Sequence, residues 1–369
     1  MPLFRFAPSI SATLALPIAL PLAALALAGC ASFQTSLDTS GLKDSAKAME
    51  GAVSYFQEGH FWGPKVLAST LDNFNPFALV DAPPRVEVTV GNLDRWRLSE
   101  GGHDLHQERL RFPSTSPVRM RTPDEAIFYL YYRGDLAGKK VILWVPGYGV
   151  SDFAFLFIRK IFATELDHNY AILFYTLPGH LERIHAGEKS GDGLLSADPE
   201  TNLETVQTVL GELETGMNYL RGRGASSFSA WGGSMGAAFL LLLAEREHFD
   251  HLALMIPVLD WNSIMGNPAM GGLRAGLRAA GYPDSLVEKA YRAISPMDRA
   301  WKPGSTRVLI QYARRDQLTP EAITLAFAKA RGIEALGYDE SHATILLSGK
   351  MFADYRRFLD GVTTPAAAP

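Results

Sequence analysis

Residues 226–244 read SSFSAWGGSMGAAFLLLLA, and the organisation of the chain follows from this stretch. Residues 226–231, with Phe228 and Trp231, suit a strand, while residues 235–244 form a nearly all-apolar run that suits a buried helix. Between them Gly232-Gly233-Ser234-Met235-Gly236 has the spacing G-x-S-x-G. A strand that passes directly into a helix leaves room for only a tight turn. The residue at its apex takes a strained backbone, and the flanking glycines remove side chains that would collide. Ser234 is then expected to project from the edge of a sheet, at the positive end of a helix.

The flanking pattern supports a sheet wound with helices. Residues 141–145, 170–175, 252–258 and 308–312 read as strands, the first two as continuous apolar runs of the kind found in parallel sheets covered on both faces. Residues 153–166 read as a helix. Asp198-Pro199 supplies the start of another, with Leu203, Val206, Leu210, Leu213, Met217 and Leu220 on its apolar face and Gly224 to end it. Upstream, residues 85–90, 107–112 and 126–132 read as strands, the first two alternating with period two, and residues 351–359 form a last helix. Antiparallel strands followed by alternating strands and helices describe an α/β sandwich, its sheet mostly parallel with helices on both faces. Residues 262–298, carrying Met265, Met270, Leu273, Leu277, Tyr282 and Leu286, read as an inserted helical cap.

Set on a strand and a helix, the G-x-S-x-G turn resembles that of serine hydrolases of the α/β-hydrolase superfamily, and the resemblance covers roughly residues 85–360. It implies a chain order of nucleophile, acid, base. Asp316 lies in the loop after strand 308–312, and His342, in Glu340-Ser341-His342-Ala343, is the sole histidine after it. The implied triad is Ser234, Asp316 and His342, with Asp260 at the end of strand 252–258 as the alternative acid. Asp339 shares a loop with His342, where a facing geometry is hard to reach. The resemblance also implies oxyanion donors from the amides of Met235 and Tyr148, with Gly149 the alternative within Pro146-Gly147-Tyr148-Gly149. Pro146 stands where the family more often has His, which removes a side chain that often braces this loop.

No cofactor or metal is expected. Gly101-Gly102 and Gly271-Gly272 are not followed by Gly-Lys-Ser/Thr, so neither is a phosphate loop. His180 and His185 flank a loop without a carboxylate pattern, and His103 and His106 sit in a polar loop or hairpin. The single Cys excludes an internal disulfide and a cysteine-rich zinc site. With 35 Lys and Arg against 39 Asp and Glu, the net charge of −4 gives no support to nucleic-acid binding. At 369 residues, 47% apolar and 20% charged, the chain has the composition of a globular protein and not of a disordered one.

The beginning of the chain points to the cell envelope. Arg5 precedes an uncharged Leu- and Ala-rich run over residues 10–27, broken by Pro17 and Pro21, which has the layout of an export signal and not of a spanning helix. Leu27-Ala28-Gly29-Cys30 resembles the lipobox of bacterial lipoproteins. That resemblance implies removal of residues 1–29 and lipidation of Cys30, while Ala31 implies outer-membrane sorting, facing the periplasm. Residues 30–84 form an N-terminal extension in which Leu42, Ala46, Met49, Val53 and Phe56 mark an amphipathic helix. Phe61, Trp62, Phe74 and Phe77 then read as irregular chain laid over the hydrolase domain of residues 85–362, and residues 363–369 as a disordered tail.

Taken together, the expectation is a lipid-anchored serine hydrolase that cleaves a small ester or acyl compound through an acyl-enzyme. The apolar insertion favours an apolar substrate. An acyltransferase, thioesterase or peptidase would share the same triad, and a non-catalytic envelope lipoprotein could keep the scaffold for binding. The membrane is reached through the lipid, and nucleic acid is not a partner.

Overall fold

The computed structural model describes residues 63–77, 84–90, 104–114, 125–150, 152–184 and 194–361, with Lys43, Leu98, Ser190 and Gly191. The residues read as an export signal, Cys30, the helix expected at residues 42–56 apart from Lys43, His103, His185 and the tail lie outside the described residues. Among the described residues, nine strands form one sheet: β1 (Glu87–Val90), β2 (Leu105–Pro113), β3 (Glu125–Arg133), β4 (Lys140–Val145), β5 (Ala171–Thr176), β6 (Ser227–Gly233), β7 (His251–Met255), β8 (Arg307–Ala313) and β9 (Glu334–Tyr338). Their order is β1-β2-β3-β5-β4-β6-β7-β8-β9. The pairings β1–β2, β2–β3 and β3–β5 are antiparallel, and those from β5 to β9 are parallel.

Parallel neighbours need a crossover, and helices supply it. The helices are α1 (Pro64–Asp72), α2 (Asp152–Asp167), α3 (Pro199–Gly222), α4 (Met235–Leu243), α5 (Trp261–Gly266), α6 (Gly271–Ala279), α7 (Asp284–Ala293), α8 (Glu321–Arg331) and α9 (Gly349–Leu359). Alternation along β4 shows how the two cores divide. Val141, Leu143 and Val145 join one buried cluster with α3 and α4, while Ile142 and Trp144 join another with Phe162 of α2 and Tyr355 of α9. On the second face Trp144 stacks on Trp231 with ring centroids 4.1 Å apart, and such a pair adds about 0.5–1.5 kcal/mol beyond burial.

The strand order sets the place of the site. After β4 the chain crosses outward to β5, then returns past β4 to β6. The order reverses there, and the carboxyl ends of β4 and β6 border the crevice where open parallel sheets take ligands.

Two elements depart from the sequence reading, and a third stretch is packed more deeply than its composition suggests. Strand β9 was not expected, because Glu334-Ala335-Leu336-Gly337-Tyr338 is short, half-exposed and lacks the apolar run of its neighbours. It is a strand because it pairs with β8, Leu309 opposite Glu334 and Ala313 opposite Tyr338. Helix α1 falls in the stretch read as irregular. Pro64 opens it, yet it buries only Leu67, and its support is its packing on α3 and α7. In the stretch read as a cap, Met265, Met270, Leu273, Leu277 and Tyr282 are buried in the same core cluster as α3. Tyr282 Oη donates to the Asp198 carboxylate at 3.0 Å and accepts from the Gly63 amide at 3.1 Å, which ties this region to α1 and α3.

Candidate active site

Ser234 sits between β6 and α4 with φ 51 and ψ −115, a left-handed backbone that a residue with a side chain adopts at a cost of about 1–3 kcal/mol. The surroundings over-determine it. Its amide donates to Met255 O at 2.8 Å, and its carbonyl accepts from the Val258 amide at 3.1 Å. The glycines of the turn are required by close approach. A Cβ on Gly232 would lie 2.8 Å from Ala237 Cα, and one on Gly236 would overlap the carbonyl oxygens of Val145 and Pro146. The helix can therefore close directly on the end of β4.

Two loops from distant parts of the chain meet the serine. His342, after β9, places Nε2 2.9 Å from Ser234 Oγ and Nδ1 2.7 Å from Asp316 Oδ2. Asp316 follows β8. Its side chain is fully buried and accepts the Leu318 amide at 2.7 Å, the Thr319 amide at 2.9 Å and Thr319 Oγ1 at 2.6 Å. Burial alone would push this carboxyl up. The His342 charge and the hydrogen bonds from His342 and Thr319 outweigh it and hold Asp316 below the usual carboxylate range. The His342 loop has its own bracing. Thr344 Oγ1 accepts the Ser341 amide at 3.0 Å and donates to Glu340 Oε2 at 2.7 Å, and the Arg315 amide donates to Glu340 O at 3.0 Å.

The competing acids are engaged elsewhere. Asp260 caps α5, its Oδ1 accepting from the Asn262 amide at 2.9 Å. Asp339 is largely exposed and pairs with Arg315 Nε at 3.1 Å.

Met235 opens α4, where the first amides of a helix have no carbonyl one turn earlier to bond. The loop after β4 lies against Ser234, since a Cβ on Gly147 would sit 3.1 Å from Ser234 Cβ. Of its two candidate donors, the Gly149 amide is already bonded to His180 Nε2 at 2.8 Å. His180, read in sequence as an unremarkable loop histidine, is fully buried beside this loop. Its signal was its position after the strand next to β4, which becomes meaningful only once the strand order is known. Among the described residues no group of three or more His, Cys, Asp or Glu is placed to hold a metal ion.

The chain has the α/β-hydrolase fold. It superposes on an acetyl xylan esterase from Paenibacillus sp. R4 with TM-score 0.55 and 11% identity, covering 81% of this chain and 92% of that one. A second acetyl xylan esterase, from Thermoanaerobacterium sp. JW/SL YS485, gives TM-score 0.52 and 13% identity over 81% of this chain and 93% of that one. An S-formylglutathione hydrolase from Agrobacterium tumefaciens gives TM-score 0.50 and 14% identity over 70% and 96%. No protein-family model matches the sequence, and no curated protein matches it.

Proposed function

We propose that the protein is a serine hydrolase of carboxylic esters that works through an acyl-enzyme, with Ser234 as nucleophile, His342 as general base and acid, and Asp316 as the group that orients it. The observation that carries this reading is the unbroken hydrogen-bonded chain from Ser234 Oγ through His342 to a buried Asp316, with the serine on a strained turn at a helix start. His342 takes the Ser234 proton as Oγ attacks the acyl carbon, and Asp316 stabilises the imidazolium that forms. The amides of Met235 and Tyr148 receive the developing oxyanion. His342 then returns the proton to the leaving alcohol, and water repeats the sequence on the acyl-enzyme.

Within residues 262–298, Met265, Met270, Leu273, Leu277 and Tyr282 are packed into the domain, so their apolar character serves the core and does not define a substrate preference. The substrate is therefore left at the level of a carboxylic ester. Labelling tests the reading: a fluorophosphonate probe is expected to add one phosphonyl group to the folded full-length chain, on the peptide containing Ser234. A folded chain that stays unlabelled, or is labelled on another serine, removes it.

The anchor belongs to the same proposal and rests on Leu27-Ala28-Gly29-Cys30. Among the described residues no helix is long and apolar enough to cross a membrane. A lipid on Cys30 would hold the hydrolase at the cell envelope. In bacteria fed radiolabelled palmitate, the wild-type chain is expected to take up label and Cys30→Ser to take up none. Equal labelling of the two would exclude Cys30 as the attachment point.

A further inference from the structure

We infer that His180 is the positioning residue of the oxyanion loop, holding residues 148–150 so that the Tyr148 amide serves the site while the Gly149 amide does not. The inference rests on Ser234 being the nucleophile.

The need for such a brace is visible in the sequence. Pro146-Gly147-Tyr148-Gly149 begins with a residue that has no polar side chain and contains two glycines, one of them at φ 74. Glycines widen the conformations open to a loop. A donor for a transition-state oxyanion must instead be held within about 0.5 Å of its working place. Pro146, Gly147 and Gly149 have no polar side chain with which to fix the loop.

The connection after β5 supplies it. His180 Nε2 accepts the Gly149 amide at 2.8 Å, and Nδ1 stands 2.8 Å from Pro178 O. A carbonyl oxygen can only accept, so Nδ1 carries the proton and Nε2 presents a lone pair to Gly149. Both ring nitrogens are thereby assigned. Burial lowers the ring's pKa to about 4, with the Arg183 charge acting in the same direction and the Pro178 hydrogen bond opposing, so the lone pair persists at neutral pH.

Other contacts close around the same loop. The Tyr148 ring meets His180 edge-on, with centroids 5.8 Å apart. Gly191 backs onto that ring, since a Cβ there would lie 2.7 Å from Tyr148 Cζ, and its amide donates to Gly179 O at 2.8 Å. Ser190 Oγ donates to Val150 O. Residues 148–150 are thus clasped between His180 and residues 190–191. The brace missing at Pro146 is provided from the neighbouring strand's connection, and the Gly149 amide is withdrawn from the choice of oxyanion donors.

The test uses the full-length chain in detergent with p-nitrophenyl esters and a boronic acid inhibitor that mimics the tetrahedral state. Loss of one oxyanion donor costs about 10²–10³ in kcat, so His180→Phe is expected to lose about 10²-fold in kcat with little change in KM. The boronic acid should lose affinity in step with kcat/KM. His180→Gln, whose amide oxygen reaches the Nε2 position, should recover most of the loss. His180→Asn, whose amide ends near Nδ1, should not, and this pair decides the matter if the Phe variant does not fold. Wild-type kcat in folded His180→Phe or His180→Asn, or an effect confined to KM, overturns the inference while leaving Ser234 as nucleophile. Turnover that survives Ser234→Ala removes the parent reading and this inference with it.

Discussion

Replacing Asp316 with Asn is expected to lower kcat for ester hydrolysis by about 10⁴-fold, against about 10⁶ for Ser234→Ala and little change for Asp260→Asn. The size of the Asp316 effect follows from its hydrogen bonds. Oδ1 accepts two backbone amides, from Leu318 and Thr319, while Oδ2 faces His342 Nδ1 and Thr319 Oγ1. In the Asn variant the two amides pin the remaining oxygen on their side, which turns the NH₂ group toward His342. His342 then carries its proton on Nε2, pointing at Ser234 Oγ, and cannot take the serine's proton. Nothing replaces the lost stabilisation of the imidazolium. Asp260, by contrast, caps α5, and Asn caps a helix about as well as Asp. Steady-state kinetics of the three variants checks the ranking. A larger loss in Asp260→Asn than in Asp316→Asn would move the acid to the start of α5.

What could be read from the sequence divides along a physical line. The strands that became β4, β5 and β7 have apolar runs because both of their faces are buried, and a run is visible without knowing the neighbours. The order of Ser234, Asp316 and His342 along the chain was likewise readable, since Ser234 and Asp316 follow recognisable strands and His342 is the sole histidine after Asp316. Features that depend on partners were not. β9 owes its conformation to β8, and α1 owes its stability to α3 and α7, so their own residues carry little pattern. The hydrogen bond that engages the Gly149 amide runs to a histidine 31 positions away, brought alongside only by the reversal of strand order. In the insertion, Met265, Met270, Leu273, Leu277 and Tyr282 are packed into the core while Leu286 is partly buried, a division that composition alone does not reveal.

Glu165→Gln is expected to remove the pH dependence that one buried carboxyl contributes to stability. Glu165, on α2, is almost wholly buried and accepts from Trp144 Nε1 at 2.9 Å and Tyr355 Oη at 2.7 Å. Burial drives its pKa up to about 8 from an ordinary 4.5; the Tyr355 and Trp144 hydrogen bonds and the Arg356 charge oppose the rise but do not cancel it. Between pH 4.5 and about 8 the unfolded chain has released this proton while the folded chain still holds it. Stability therefore falls as pH rises, by about 1.4 kcal/mol per pH unit from this group, and levels off above its folded pKa. Below pH 4.5 both states are protonated and the contribution is fully present. Glutamine cannot ionise, and its oxygen and NH₂ can still bond the indole N–H and the tyrosine hydroxyl. The variant should accordingly gain on the wild type as pH is raised, by a total of several kcal/mol between pH 5 and pH 8. Denaturant unfolding of both proteins at the two pH values measures this difference, and taking wild type minus variant cancels the other titrating groups. The same stability difference at both pH values would mean that Glu165 is already ionised in the folded protein, with its two hydrogen bonds outweighing the cost of burial.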